Sequence, residues 1–216
     1  MAIVTFPPVS DADEDGLLAI GGDLDVSSLL LAYSNGIFLW PPYDALLAWF
    51  APPERAILFI DEFHVSKSFK KELKRHKFEI KTDTNFTEVM RHCAELKNRK
   101  KQRGTWISEE IIEAYTRLHR AGGAHSIETF LNGKLVGGVY GVAIGSMFAA
   151  ESMFYRHPNA SKVALHKLLD ILAARGSRWV DFQVLNPFTE KIGARNIPRS
   201  EFMQLLRDAI KGPALF

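Results

Sequence analysis

The segment WVDFQVLN, Trp179 to Asn186, sets an acid and an amide two residues apart in an otherwise apolar stretch. Alternate side chains of a β-strand share a face, so Val180, Phe182 and Val184 fall on one side and Asp181, Gln183 and Leu185 on the other. At a rise of roughly 3.3 Å per residue, Asp181 and Gln183 stand about 7 Å apart and project in parallel. A carboxamide cannot act as a base, but its carbonyl accepts hydrogen bonds, while a carboxylate can take up charge or a proton. Such a pair can orient an amine. A third candidate is Glu151 in MFAAESMF, where period-two alternation puts Met147, Ala149, Glu151 and Met153 on one face. There it is either a sheet acid facing solvent or an arginine, or one wall of a pocket whose methionines adapt to an irregular apolar ligand.

Other engines are missing from the sequence. No G-x-x-x-x-G-K-[ST] occurs, because Gly133-Lys134 is followed by Leu135 within a hairpin signal, and no G-x-G-x-x-G opens a helix after a strand. The seven histidines include no H-E-x-x-H, and His92 and Cys93 are helical neighbours that point apart, so no metal is expected. His125 and Ser126 face opposite sides of a strand and cannot pair as base and nucleophile. Cys93 is the single cysteine, which excludes an internal disulfide.

The elements that must hold these residues can be read from pattern. After ASKVALHKLLDILAAR, a helix with Asn159 or Ser161 as its cap, comes the strand with Asp181 and Gln183. Before that helix, HSIETFL, the Asn132-Gly133 turn, KLVGGVYGVAI and MFAAESMF read as a three-stranded meander. Meander, helix, strand is the order of a GNAT-like acyltransferase core, in which the last strand is central. The R-x-x-G-x-[GA] turn by which such enzymes hold coenzyme A is absent, since RAGGAH (Arg120 to His125) fails at its last position. The acyl donor is therefore expected to be something other than acyl-CoA.

Upstream, a strand near 56–60, a basic helix near 66–76, a strand near 77–82, a helix near 85–97 and a helix capped by Ser108 are expected. Residues 1–60 are rich in Pro, Gly and aromatics; Pro41-Pro42 and Pro52-Pro53 are expected to break regular structure there. The fold class is thus α+β: a small irregular N-terminal domain (1–60) and a GNAT-like C-terminal domain (61–216) with a mixed sheet and flanking helices. Hydrophobic content of 47% and charged content of 24% are globular values, so a sizeable core is available. The sequence lacks a membrane span and a secretory signal, so a cytoplasmic protein is expected. The net charge of +2 hides a division: residues 1–63 carry one basic and ten acidic side chains, residues 64–103 thirteen basic and five acidic. The basic block, KSFKKELKRHK and KNRKKQR, is either a solvated surface or a footprint for phosphates.

Taken in order, GLLAIGGDL, AYSNGIFLW, GTWI, AHSIE, LVGGVYGVAIG, ESMF, NASKVAL, DFQVLN and GARNIPR resemble the bacterial leucyl/phenylalanyl-tRNA–protein transferases, from about Gly16 to about Phe202. The resemblance implies an aminoacyltransferase that takes Leu or Phe, and Met less well, from aminoacyl-tRNA. It joins that residue to the N-terminal Arg or Lys of a protein, which marks the product for N-end rule degradation. It implies no metal, no cofactor, no membrane and a monomer. The family's catalytic acid and amide fall on Asp181 and Gln183, and its pocket acid on Glu151. Aromatics at the aminoacyl-adenosine end fall on Trp40 and Trp106, with Phe38, Tyr33 and Tyr115 nearby. Met153 falls on the wall of the side-chain pocket and Asn186 on a polar position of the same site. Val139 stands where relatives often carry Met, which bears on the fit to Leu against Phe.

The basic loop is this chain's own feature, and Lys97, Arg99, Lys100 and Lys101 are expected on the tRNA backbone. On this reading Asp181 orients the Gln183 amide, and the amide receives the attacking amine. Two alternatives stand beside it: an acyl-CoA N-acyltransferase, and a non-catalytic RNA-binding protein that kept the scaffold.

Overall fold

The computed structural model describes residues 2–43, 46–75, 77–95 and 106–216. The N-terminal part is more regular than its composition suggests. Strands β1 (Leu17–Ile20), β2 (Phe38–Tyr43) and β3 (Leu46–Phe50) form an antiparallel sheet in the order β1-β3-β2, with helix α1 (Val26–Ser34) between β1 and β2. Gly36 ends α1 by adopting a φ of 74°. Contrary to expectation, β2 runs through Pro41-Pro42. It is an edge strand, and its register shifts between Trp40 and Tyr43, so the missing proline N–H groups remove no ladder bond.

A seven-stranded mixed sheet carries the rest, in the order β10-β4-β9-β8-β7-β6-β5. Its members are β4 (Glu54–Phe59), β5 (Glu79–Thr82), β6 (Ala124–Leu131), β7 (Lys134–Ile144), β8 (Met147–Tyr155), β9 (Trp179–Gln183) and β10 (Arg195–Pro198). Although β4 lies among the first sixty residues, it pairs with β9 and β10 in this sheet. Helices α2 (Lys67–Leu73), α3 (Phe86–Ala94), α4 (Glu109–Arg120), α5 (Ala160–Ala174), α6 (Pro187–Lys191) and α7 (Arg199–Ile210) flank it. Asn132 and Gly133, with φ of 51° and 72°, make the tight turn between β6 and β7 that an Asn-Gly pair favours.

The meander β6–β7–β8, the crossover α5 and the return of β9 parallel to β8 reproduce the expected GNAT-like order. Ser108 caps α4 by accepting the Ile111 N–H at 3.3 Å. Asn159 precedes α5, but its backbone is left-handed (φ 67°) and its side chain caps nothing, while Ser161 lies inside the helix. Apolar residues fill both faces of the sheet. One cluster gathers α1, α3, α4 and the small sheet, and the other seats α5 through Leu165, Leu168, Leu169 and Leu172. Strand β9 is buried throughout, as a strand covered on both faces must be. No helix among the described residues is long and apolar enough to cross a membrane.

Candidate functional site

The site forms where β8 and β9 lose their regularity. Ala149 opposite Asp181 is the one pair registered between them. On β8, Tyr140 faces Ser152 while the next residue, Gly141, faces Ala150, so Glu151 is the extra residue of a β-bulge. A side chain on Gly141 would collide with the Ala149 carbonyl oxygen and the Phe148 ring, which is why glycine stands opposite the bulge. The bulge interrupts the alternation read from the sequence. Met147 and Ala149 lie in one core cluster, whereas Met153 packs against the other beside Val139 and Ala150, so the four do not share a face.

On β9 the break comes at Gln183. Its φ is 63°, and Val184 N–H reaches back to the Phe182 carbonyl at 2.6 Å. A three-residue turn with a positive φ at its centre is the rare, strained hand of the γ-turn. Strain of this kind persists only where surrounding bonds over-determine it, and here they do. Asp181 Oδ1 accepts the Gln183 backbone N–H at 2.7 Å, and Gln183 Nε2 donates to Glu151 Oε1 at 2.5 Å. Asp181 therefore holds the backbone of Gln183, and Glu151 holds its side-chain amide. This corrects the expectation that Asp181 orients the amide directly.

Asp181 is fully buried and its carboxylate is already engaged. Arg55 donates to it through Nε at 2.9 Å and Nη2 at 2.7 Å, and through Nη1 to the Gly36 carbonyl at 2.8 Å. The guanidinium lies between the rings of Phe38 and Phe202, at 4.5 and 4.4 Å from their centroids. Arg55 was missed at the level of sequence. The available signal was that it is the single basic residue among the first 63.

Glu151 sits at the head of a second chain of bonds. Tyr33 donates its hydroxyl to Glu151 Oε1 at 2.7 Å, so the 2.7 Å contact between the Tyr33 and Tyr115 hydroxyls must have Tyr115 as its donor. The other carboxyl oxygen, Oε2, is buried without a partner among the described residues. Burial pushes the Glu151 carboxyl up to about 8; the Tyr33 and Gln183 hydrogen bonds pull the other way, and the Asp181 charge adds to the rise. Burial likewise raises the hydroxyls of Tyr33 and Tyr115 well above their ordinary value, with the Glu151 charge as the next cause.

In front of this network opens a cavity of about 1020 Å³. Glu151 and Gln183 form part of its wall. Trp40, Trp106 and Phe38 border it, as do Met153, Val139, Ala150 and Phe182 on the apolar side and Asn186 and Ser161 on the polar side. Asn186 also builds the wall, since its Oδ1 accepts the N–H groups of Phe188 and Thr189 in a capping box at α6. Tyr33 and Tyr115 are fully buried behind Glu151, and neither they nor Asp181 borders the cavity. Lys97, Arg99, Lys100 and Lys101 lie outside the described residues.

Asp83, His119 and His125 bring three metal-ligating atoms within 4.8 Å of one another, but none of the three borders the cavity. Each is bonded within the fold. Asp83 accepts from Ser126 N–H at 2.8 Å, His125 bridges Asp83 and the Gly122 carbonyl at 2.7 and 3.1 Å, and His119 meets the Ala124 carbonyl at 2.7 Å. A metal would have to displace these bonds, so the cluster reads as a cross-link at the end of β5.

Comparison with known proteins agrees with the geometry. A family model described as leucyl/phenylalanyl-tRNA protein transferase matches residues 57–207, and one for the N-terminal domain of the same transferase matches residues 22–53. A leucyl/phenylalanyl-tRNA–protein transferase of Flavobacterium johnsoniae is 47% identical over 202 residues, covering 94% of this chain and 95% of its own. One from Nitrosomonas eutropha is 47% identical over 203 residues, covering 93% of this chain and 86% of its own. Among solved structures, FemX superposes with a TM-score of 0.48 at 13% identity, over 71% of this chain and 64% of its own.

Proposed function

This chain belongs to the leucyl/phenylalanyl-tRNA–protein transferases, and from that premise we propose that it moves Leu or Phe, and Met less well, from aminoacyl-tRNA to the N-terminal Arg or Lys of a protein. The reaction is aminolysis of an ester. The acceptor's α-amine attacks the ester carbonyl, a C–N bond forms, the bond to the ribose oxygen breaks, and the amine's proton ends on that oxygen. The ester is already activated, so no nucleotide hydrolysis is required. An α-amine with a pKa of roughly 7.7–8.0 is partly neutral near pH 7, so the site needs chiefly to position it.

One observation carries the reading: the Gln183 carboxamide is pinned by its nitrogen to Glu151, which leaves its oxygen to face the cavity. That oxygen accepts a hydrogen bond from the attacking amine and aims its lone pair at the ester. Asp181 acts at one remove, by fixing the strained turn beneath Gln183. Trp40 and Trp106 supply stacking surface for the terminal adenine, and Met153, Val139, Ala150 and Phe182 form the apolar wall for a Leu or Phe side chain.

The Asp181 charge is paired with Arg55, so attraction for a basic N-terminus falls to Glu151. Burial keeps Glu151 protonated near neutral pH, and an arriving cation favours its ionisation. The acidic first 63 residues add a longer-range field of the same sign. On this reading the protein acts as a cytoplasmic monomer, and its products enter N-end rule degradation. The basic loop 97–103 contacts the tRNA backbone.

The test is mass spectrometry of an Arg-initiated peptide incubated with Phe-tRNA, Leu-tRNA or acetyl-CoA. Addition of Phe or Leu is the expected result, with none to an Ala-initiated peptide. Acetylation, or no addition at all, would refute the function.

A further inference from the structure

The cavity has a polar corner that the reaction just described does not use, at the start of α5. In the first turn of this fifteen-residue helix, the Ala160 N–H is taken by the His157 carbonyl at 3.1 Å and the Val163 N–H by the Asn159 carbonyl at 2.9 Å. The N–H groups of Ser161 and Lys162 between them have no partner among the described residues, and Asn159 supplies no side-chain cap. Free N–H groups at the positive end of a helix dipole favour an anion.

Two side chains point to the same ligand. Ser161 is only 6% exposed, its hydroxyl has no hydrogen-bond partner among the described residues, and it borders the cavity. A hydroxyl that opens onto the cavity and is not tied up within the fold is free to donate to a ligand there. Among the described residues, Lys162 is the one cationic side chain that borders the cavity. It also borders a smaller hollow of about 60 Å³ whose wall includes Phe63, Phe69, Phe188 and Lys191. Lys162 thus stands at the junction between the cavity and a basic, aromatic hollow beside α2.

If the aminoacyl-adenosine end of a charged tRNA fills the cavity, the next group along the donor is the phosphodiester linking its last two nucleotides. That group is a monoanion leaving a largely apolar chamber. We propose that the first turn of α5 binds this phosphodiester, with the free N–H groups and Ser161 Oγ donating to its oxygens and Lys162 Nζ balancing its charge. The aromatic hollow beyond Lys162 then receives the penultimate base by stacking. The assignment rests on the transfer function proposed above.

Three donors test it: Phe-tRNA, a phenylalanylated CpA dinucleotide that retains the phosphodiester, and phenylalanyl-adenosine, which lacks it. The measured quantity is the ratio of KM for the nucleoside donor to KM for the dinucleotide donor. Lys162 is exposed, so its substitution leaves the core untouched. In Lys162→Ala the ratio falls by about tenfold, the scale of one lost charge-assisted hydrogen bond. The salt dependence of KM for Phe-tRNA loses about one unit of slope. Lys162→Arg restores most of both effects, which a merely structural role would not. An unchanged ratio in Lys162→Ala and Lys162→Glu, with wild-type transfer from Phe-tRNA intact, would overturn the subsite alone. Absence of wild-type transfer from all three donors would overturn the function and the subsite with it.

Discussion

The amide nitrogen of Gln183 lies 2.5 Å from Glu151 Oε1, and this bond decides which end of the carboxamide the cavity sees. A carboxyl oxygen already receiving the Tyr33 hydroxyl can only accept from Gln183, so the amide oxygen must turn outward. Substitution therefore separates chemistry from stability. Gln183→Ala lowers the single-turnover transfer rate by about a hundredfold, the scale of losing one positioning contact, with a much smaller change in tRNA affinity. Gln183→Gly has the same kinetic defect but tolerates the φ of 63°, so it unfolds at higher denaturant than Gln183→Ala by about 1 kcal/mol. Transfer at the wild-type rate in either variant would remove Gln183 from the mechanism.

Glu151 imposes a pH dependence on stability whose sign follows from its raised pKa. In the folded protein burial pushes the carboxyl from 4.5 to about 8, so between those values the folded state keeps a proton that the unfolded state has released. Stability from this group is fully present below pH 4.5 and is lost as pH rises towards 8. Glu151→Gln keeps the shape and removes the titration. Its thermal midpoint should match that of the wild type near pH 4.5 and exceed it by several degrees at pH 8. Scanning calorimetry across this range is the check, and a difference independent of pH would contradict the assignment.

How far the site was legible in the sequence follows from the same residues. Asp181, Gln183 and Glu151 stand out because polar groups on buried strands need partners, and the order of strands around α5 follows from periodicity and one Asn-Gly turn. Their partnerships were not legible, because period-two reasoning assumes unbroken strands. The bulge at Glu151 and the turn at Gln183 each shift the alternation by one residue, which separates Met153 from Met147 and turns the Gln183 amide towards Glu151. Gly141 was a usable hint of the first break, and Arg55, alone among acids, a hint of the buried pair. Pro41-Pro42 misled because proline is excluded from central strands but not from bulged edges.

The buried pair between Arg55 and Asp181 should behave as a unit. Removing either partner leaves an uncompensated charge in the core, so Arg55→Met and Asp181→Leu each destabilise by about 3–5 kcal/mol in urea unfolding. The double variant, apolar at both positions, recovers much of that loss. Transfer should not recover with it, because the Gln183 backbone N–H loses its acceptor at Asp181 Oδ1. Additive destabilisation in the double variant would show that the two residues are not coupled.

The aromatic end of the cavity makes a separate prediction. Trp40 and Trp106 both border it and both remain partly exposed, as stacking platforms must. Trp106→Ala and Trp40→Ala should each weaken donor affinity by about 1–3 kcal/mol, the scale of one lost base–aromatic contact. Trp40 also packs on Phe38 and Phe50, each at 5.9 Å, so its variant carries a stability loss as well. Donor affinity unchanged in a folded Trp106→Ala would place the adenine elsewhere.

The bulge itself can be tested through Gly141, which stands opposite it on β7 and has no side chain. A methyl group there meets the Ala149 carbonyl oxygen and the Phe148 ring, and backbone cannot move aside as a flexible side chain does. Relief requires β8 to slip against β7, and a slip of one residue sends alternate side chains to the opposite face. Glu151 would then lose its bonds to Tyr33 and Gln183. Gly141→Ala should therefore cost about 1–3 kcal/mol, as overpacking does, and reduce transfer by far more than that loss of folded protein explains. Gly138→Ala on the same strand is the control. Its added methyl is also tight, 3.1 Å from the Ile127 carbonyl oxygen and the Phe154 and Val89 side chains, so it costs stability. It does not stand opposite the bulge, however, and activity per folded protein should be kept. Equal activity losses in the two variants would mean that the bulge does not set the position of Glu151.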